Sequence, residues 1–476
     1  MRNVGAVRTH TKRTIAASIL LALFNAFSFS DLSSPGLKAL AADEQENHQQ
    51  SEEFSVTYTA LTKQALLSGI ELERFNLKYR LASIRQPKWR ALRYSIAQEV
   101  GSGGILTFEV IGNKEFSVGR KDPAGVSTSA LRGGLVQVIP TSAIASASSC
   151  FELGSNALIA RKNRKVSFDP KSARESAIAR FKRLDEILSQ RELFVNAHRD
   201  HPSYARAVVE GQILKDLRNA EVAEFTNSLC NARGSAAAEN TFYVLNAITN
   251  ALGATAGGVA FKSITEPKLT LGANVLFILA GGFGALSPWV SARTAASAAR
   301  KAKKSMSCLV DQTPALDLQH LAEHRARLNE LLTESSGSLI SSFPAVDRLA
   351  LYTESNQRFK TQLESEISTS THLSRVAAQQ ELLGPLIGGT LSTQGILGTI
   401  GYYKYATVPR KQFGLYYAGS IIGMAGASVG VAATATALFA SWQYQQHLER
   451  KGQAPIQLIE DRLHFIDEAE KAVQAI

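Results

Sequence analysis

Charge is missing from long stretches of this sequence, and small side chains fill much of the space. Residues 419–442, "GSIIGMAGASVGVAATATALFASW", contain no Asp, Glu, Lys, Arg or His, and most positions are Gly, Ala, Ser or Thr. Residues 241–261, 269–290 and 382–403 are equally free of charge. Hairpins built from these segments carry no ionisable group at membrane depth, only Asn246, Asn250, Asn274 and Gln394. That counts against an ion pump or proton relay, which needs buried charge, but not against a passive pore. Cysteine is also scarce: Cys150, Cys230 and Cys308 are the whole set. No dense Lys/Arg tract with interleaved aromatics exists, so nucleic acid is not an expected partner. "GSGG" at 101–104 lacks the Lys-Ser/Thr continuation of a phosphate loop. No cofactor is expected.

The N-terminus reads as an export signal. Arg2, Arg8, Lys12 and Arg13 precede the apolar run "TIAASILLALFNAFSF", and "ALA" at 39–41 precedes an acidic, polar opening. Residues 1–41 hold Arg2, Arg8, Lys12, Arg13 and Lys38 against Asp31, so losing them lowers the net charge of +11 by 4, to +7. The remaining excess weakly favours anionic lipid headgroups or cell-wall polyanions. An uncleaved anchor is the alternative, and either way residue 43 onward lies outside.

Each charge-free segment is long enough to cross a hydrocarbon core of about 30 Å. They pair as 241–261 with 269–290 and 382–403 with 419–442, joined by the short links "KSITEPK" and "KYATVPRKQF". The basic links are expected on the cytoplasmic side, with most polar segments extracytoplasmic. The "ARKAKK" cluster at 299–304 runs against that rule. Tyr402, Tyr403, Tyr405, Tyr416 and Tyr417 form an expected inner aromatic belt, and Trp442 with Tyr444 an outer one. Small residues then have a purpose, because close backbone approach supplies the packing between helices in lipid. The candidate packing positions are Gly253, Gly257, Ala280, Gly284, Gly384, Gly388, Gly419, Gly423, Gly426 and Gly430, with two ridges on 419–442 allowing two neighbours.

A module recurs three times. "ARKNRK" (160–165), "ARKAKK" (299–304) and "LERKG" (448–452) are each followed by a helix containing Leu184-Asp185-Glu186, Leu328-Asn329-Glu330 or Ile466-Asp467-Glu468. The spacings, 144 and 138, imply a duplicated domain-sized unit. The first copy should then carry a hairpin at 95–160, which Glu99, Glu109 and Glu152 interrupt. There, Leu106, Phe108 and Val110 alternate with Thr107 and Glu109 ahead of Gly-Asn, a pattern that predicts a small β-hairpin over 105–118. Glu109 and Glu152 lie at different distances from the turn and need not meet.

The expected fold class is mainly α, a multi-pass helical membrane protein of Gly/Ala-rich hairpins alternating with extramembrane helices. The expected divisions are 1–41 leader, 42–94 extramembrane helices, 95–160 degenerate first hairpin, either interfacial or a small β element, and 161–240 helix-Pro-helix. Next come 241–298 hairpin, 299–381 helix-Pro-helix, 382–442 hairpin and 443–476 C-terminal helix. A coiled-coil-like stripe runs through Leu349, Tyr352, Asn356, Phe359, Leu363 and Ile367. Cys230 and Cys308 flank hairpin two almost symmetrically, so a disulfide at its base is a candidate.

The sharpest catalytic candidate is "HLAEH", in which His320, Glu323 and His324 follow the H-x-x-E-H order of inverted zinc peptidases. The repeat frame weakens it, since Arg180 and Arg462 occupy the position of His324 and point to a basic site on a solvated helix. The leading expectation is a non-enzymatic cell-envelope scaffold in the lipid bilayer, binding a protein partner or itself through its extramembrane helices. A passive channel or transporter component comes second, and an envelope zinc peptidase third.

Overall fold

The computed structural model describes residues 35–84, 89–310, 318–333, 352, 384–452 and 454–475. The leader's residues 1–34, Pro344 and nearly all of the 349–367 stripe lie outside this set. Almost every described residue is helical and none is in a strand. The helices are α1 (Pro35–Ile84), α2 (Arg90–Lys121), α3 (Thr128–Lys165), α4 (Pro170–Ala197), α5 (Tyr204–Ser263) and α6 (Thr270–Ser305). They continue as the single turn α7 (Ser307–Val310), α8 (Leu318–Thr333), α9 (384–405), α10 (Pro409–Arg450) and α11 (Pro455–Ala475). The chain divides into two compact units, residues 1–56, which contribute the first part of α1, and residues 57–476.

Proline and capping residues set the turns. Asp169 accepts a hydrogen bond from the Ser172 amide and Pro170 opens α4; Ser127 caps α3 through the Ala130 amide. Pro267 and Pro409, each within one of the two expected links, open the helical segments that follow. Nothing comparable interrupts residues 230–241, so α5 runs unbroken for 60 residues from polar into apolar sequence. At 1.5 Å per residue it is a rod of about 90 Å.

The β-hairpin expected at 105–118 is not there: those residues lie inside α2. The alternating pattern misled because burial here does not alternate: Phe108 and Glu109, neighbours in sequence, are both buried, while Val110 is exposed. Phe108 packs with Leu135 and Val138 of α3, whereas Glu109 turns into the interior toward α9. The first hairpin is therefore helical, α2 against α3, like α5 against α6.

Six helices close a ring. α2 contacts α3, α3 contacts α5, α5 contacts α6, and α10 returns to α2. α9 completes the circuit, with Ser392 Oγ donating to the Ile278 carbonyl of α6 at 3.1 Å and Gln394 meeting Gly419 and Gly423 of α10. Among the described helices, α3, α5, α6 and α10 contain segments long and apolar enough to cross a membrane. The ring wears its large apolar side chains outside: Leu279, Leu286, Trp289 and Phe439 are 46, 55, 53 and 57% exposed.

The remaining helices, with the first part of α5, form a second layer, outer to the ring, with an ordinary apolar core. Leu72 and Tyr79 of α1, Phe181 and Leu184 of α4, Ile213 and Phe225 of α5, and Leu328 of α8 belong to one buried cluster. Leu77 joins Ile459 and Ile466 of α11 in another.

Candidate functional site within the helical ring

Three alternate helices of the ring, α2, α5 and α9, direct polar side chains at one another. Gln98 of α2 stands between Asn246 and Asn250 of α5, whose amides donate to its Oε1 at 3.1 and 3.2 Å. Asn246 also bonds the Tyr94 hydroxyl, and Gln98 Nε2 donates to the Ala145 carbonyl of α3 at 3.0 Å. Further along α2, Gln394 Nε2 of α9 donates to Glu109 Oε1 at 2.6 Å. Asn113, one turn beyond, donates to Ser420 Oγ of α10 at 3.2 Å.

Glu109 is the chemically pointed member of this line. Its residue is 1% exposed, and its second oxygen, Oε2, has no partner. Gln394 Oε1 is also buried without one. Room for the pair depends on Gly423, where a methyl group would stand 2.7 Å from Gln394 Oε1 and 2.8 Å from Glu109 Cδ. Glu109 lies twelve residues before the end of α2, about 18 Å along the helix from the turn.

Glu152 has a different role. It accepts from Arg90 Nε at 2.7 Å and pairs with Arg93, while Arg90 also reaches Asn156 at 2.7 Å and Glu239 at 3.5 Å. This clamp ties α2, α3 and α5 together at the far end of the hairpins, with its charges paired. Glu109 and Glu152 do not meet.

All ten small-residue positions can be placed. Gly253 faces Ser142, and Gly257 faces Val138 and Ile139, all on α3. Ala280 is fully buried, Gly284 faces Thr249, and Gly384 would bring a methyl group to 2.5 Å from Pro288. Gly388 lies directly against the backbone of Gly281 and Ala285, so α6 and α9 touch main chain to main chain. Gly419, Gly423, Gly426 and Gly430 all meet α9, through Gln394, Thr390 and Ile387. Both expected ridges of α10 thus turn to one helix, and α2 is reached by Gly423 and Ser420.

The other candidates are not assembled into sites. Cys230 and Cys308 are both free thiols, so the disulfide expected between them is not formed; Cys150 is free as well. Burial raises the Cys230 thiol above its ordinary value, against the pull of Lys303 and Arg233. His324 Nδ1 lies 2.7 Å from Asp216 Oδ2 of α5, and Glu323 is exposed. His320 lies on α8. Among the described residues no group of three or more His, Cys, Asp and Glu is placed to hold a metal ion.

Arg462, expected on a solvated face, is instead the centre of a buried ionic cluster in the outer layer. It reaches Glu73 at 2.6 Å and both Glu221 and Glu224 at 3.1 Å, and Arg80 reaches Glu224 at 3.2 Å. Burial and then the charges of Glu73 and Glu224 push Glu221 well above the ordinary carboxylate range, against the pull of Arg462 and Asn76. Burial acts to lower the Arg462 guanidinium, but Glu224, Glu73 and Glu221 outweigh it and hold it above its usual value. A cavity of about 90 Å³ opens beside this cluster, lined by Ala65, Leu188, Leu217, Phe465 and Ala469 among others. Sequence reading missed the cluster because its members come from α1, α5 and α11, hundreds of positions apart.

The buried Glu109–Gln394 pair in an apolar-faced ring is thus the arrangement with the clearest chemical content. No family model, curated protein or solved structure matches this chain.

Proposed function

We propose that this chain is a multi-pass membrane protein of the cell envelope, exported by its N-terminal signal. In this reading its three hairpins carry a small hydrophilic solute or ion across the bilayer along the line from Gln98 to Glu109. One observation carries the reading. Glu109, a carboxyl at mid-depth of the ring, is buried by helices whose outer faces are apolar. An ionisable group in such a position is costly and marks a solute or ion path. The side chains meeting across the line, Gln98 with Asn250 and Glu109 with Gln394, make this a closed state.

A triplicated origin supports the same reading, because three equivalent hairpins close naturally around a shared interior. Arg74 pairs with Asp467 at 2.8 Å and Arg218 with Asp185 at 2.8 Å. The two arginines are 144 positions apart and the two aspartates 282, the spacing that the sequence repeat requires. Arg180 with Glu71 at 3.4 Å and His324 with Asp216 at 2.7 Å follow the same frame only loosely, since the basic partners are 144 positions apart and the acidic ones 145. Leu184, Leu328 and Ile466, equivalent in the repeat, are all buried.

Two measurements test the proposal. Sedimentation of detergent-free lysate is expected to carry the chain with membranes, and protease accessibility to place the outer layer outside. Purified chain in liposomes is expected to release small ions or solutes faster than empty vesicles, and Glu109→Leu to slow that release. Recovery in the supernatant overturns the membrane reading. A flux equal to that of empty vesicles overturns transport and leaves the second reading, a membrane-held scaffold acting through its outer helices. The feature that favours the scaffold is the unbroken α5, which fixes the outer layer rigidly to the ring.

A further inference from the structure

The Glu109–Gln394 pair carries an inference about what it binds. Glu109 Oε2 and Gln394 Oε1 are both hydrogen-bond acceptors, both are buried, and neither has a donor. Two adjacent residues that each retain an unmet acceptor lack a hydrogen-bond donor, and a carboxylate held in so apolar an interior is in addition short of positive charge. Burying a carboxylate oxygen unpaired is expensive, and native interiors rarely leave such atoms bare.

Among the described residues no side chain nearby supplies the charge. α10 carries no Asp, Glu, Lys, Arg or His between Lys411 and His447, and α9 none before Lys404. α3 carries none between Arg132 and Glu152. On α2 itself the neighbours in sequence are Glu99, Lys114 and Glu115, and Glu115 Oε2 is engaged by the Ser127 amide at 2.8 Å. Thr390 Oγ1, one turn from Gln394, already donates to the Ile387 carbonyl at 2.7 Å. Gly423 completes the enclosure: it leaves space for the pair and brings no polar side chain of its own.

We propose that Glu109 and Gln394 form a proton-binding site inside the ring. A proton delivered by a hydronium ion, which departs as water, bonds to Glu109 Oε2 and converts the carboxylate to a neutral acid. The new O–H then donates to Gln394 Oε1 while Gln394 Nε2 keeps its bond to Glu109 Oε1. The acid and the amide thereby satisfy each other through two hydrogen bonds, and both bare oxygens acquire a partner. A proton fits better than a metal cation, since the pair supplies one carboxylate and one amide oxygen, whereas small hard cations take about six oxygen ligands. This deepens the transport reading by naming the species that the line accepts.

The test is infrared difference spectroscopy on the purified full chain in liposomes, parent against Glu109→Gln. The parent is expected to show a carboxylic-acid carbonyl band, sensitive to deuterium exchange, that the variant loses. Gln394→Leu keeps the acid but removes its amide partner, so the band is expected to shift to higher frequency there. That second variant decides the matter if Glu109→Gln is not recovered folded. A spectrum of Glu109→Gln identical to the parent's overturns the site. So does a Gln394→Leu spectrum without a shift, or loss of the parent's band on adding sodium at constant pH, which would make the occupant a metal cation. The band is read without any flux, so its presence alongside a failed flux assay keeps the proton site and removes only transport.

Discussion

The two layers of this molecule invert one another. In the outer layer Phe181, Ile213, Phe225 and Leu229 are fully buried. In the ring, Glu109, Ser142, Ser149, Ser287 and Ser420 are inside, while Leu279, Phe283 and Leu286 face out. Water drives the first arrangement, since burying apolar surface stabilises by about 25 cal/mol per Å². The second gains nothing from hiding leucine if its surroundings are equally apolar, and close main-chain contact through Gly281 and Gly388 does the packing. The two regions thus follow opposite rules of burial, and α5 passes from one to the other without a break.

Matched truncations should expose the inversion most sharply. Phe225→Ala, in the outer core, is expected to cost about 3–5 kcal/mol in chemical unfolding. Phe283→Ala, the same change on the ring's outer face, is expected to stay within about 0.5 kcal/mol in detergent. Equal costs would break the comparison. Gly388→Val is expected to cost about 1–3 kcal/mol or more, because its side chain would have to enter the Gly281–Ala285 backbone. A smaller effect would show that α6 and α9 can separate freely.

The ionic cluster gives a subtler contrast. Glu221 holds its proton more tightly folded than unfolded, so its contribution is full below about pH 4.5 and declines as pH rises toward its folded value. Glu221→Gln removes this decline. The melting temperature of the variant minus that of the parent is therefore expected to grow from pH 5 to pH 8, as measured by thermal scans. A constant difference would mean that Arg462 alone sets the charge state of the cluster.

Much of the helical layout was legible because charge-free runs and proline-marked links are local signals. Pro267 and Pro409 stand where the links of hairpins two and three were read. Hairpin one failed as a reading because alternation implies one wet face, and in the ring Phe108 and Glu109 are both buried. Helix continuity was hidden for another reason: a change of composition near 240 looks like a boundary, yet no breaker occurs there. Polar partnerships were the least readable. Glu109 was visible as an interruption of an apolar segment, but Gln394, its partner, lies 285 positions away. Arg462 looked solvated on its own helix, and only the arrival of α1 and α5 enclosed it.

The uninterrupted α5 has a mechanical consequence. A stiff rod of about 90 Å turns a small change of angle at one end into a large displacement at the other: about 5° moves the far tip by roughly 8 Å. If the ring sits in a bilayer as proposed, thinning or curving of that bilayer would therefore be amplified at the outer layer, and a load placed on that layer would lever directly on the hairpins joined to it.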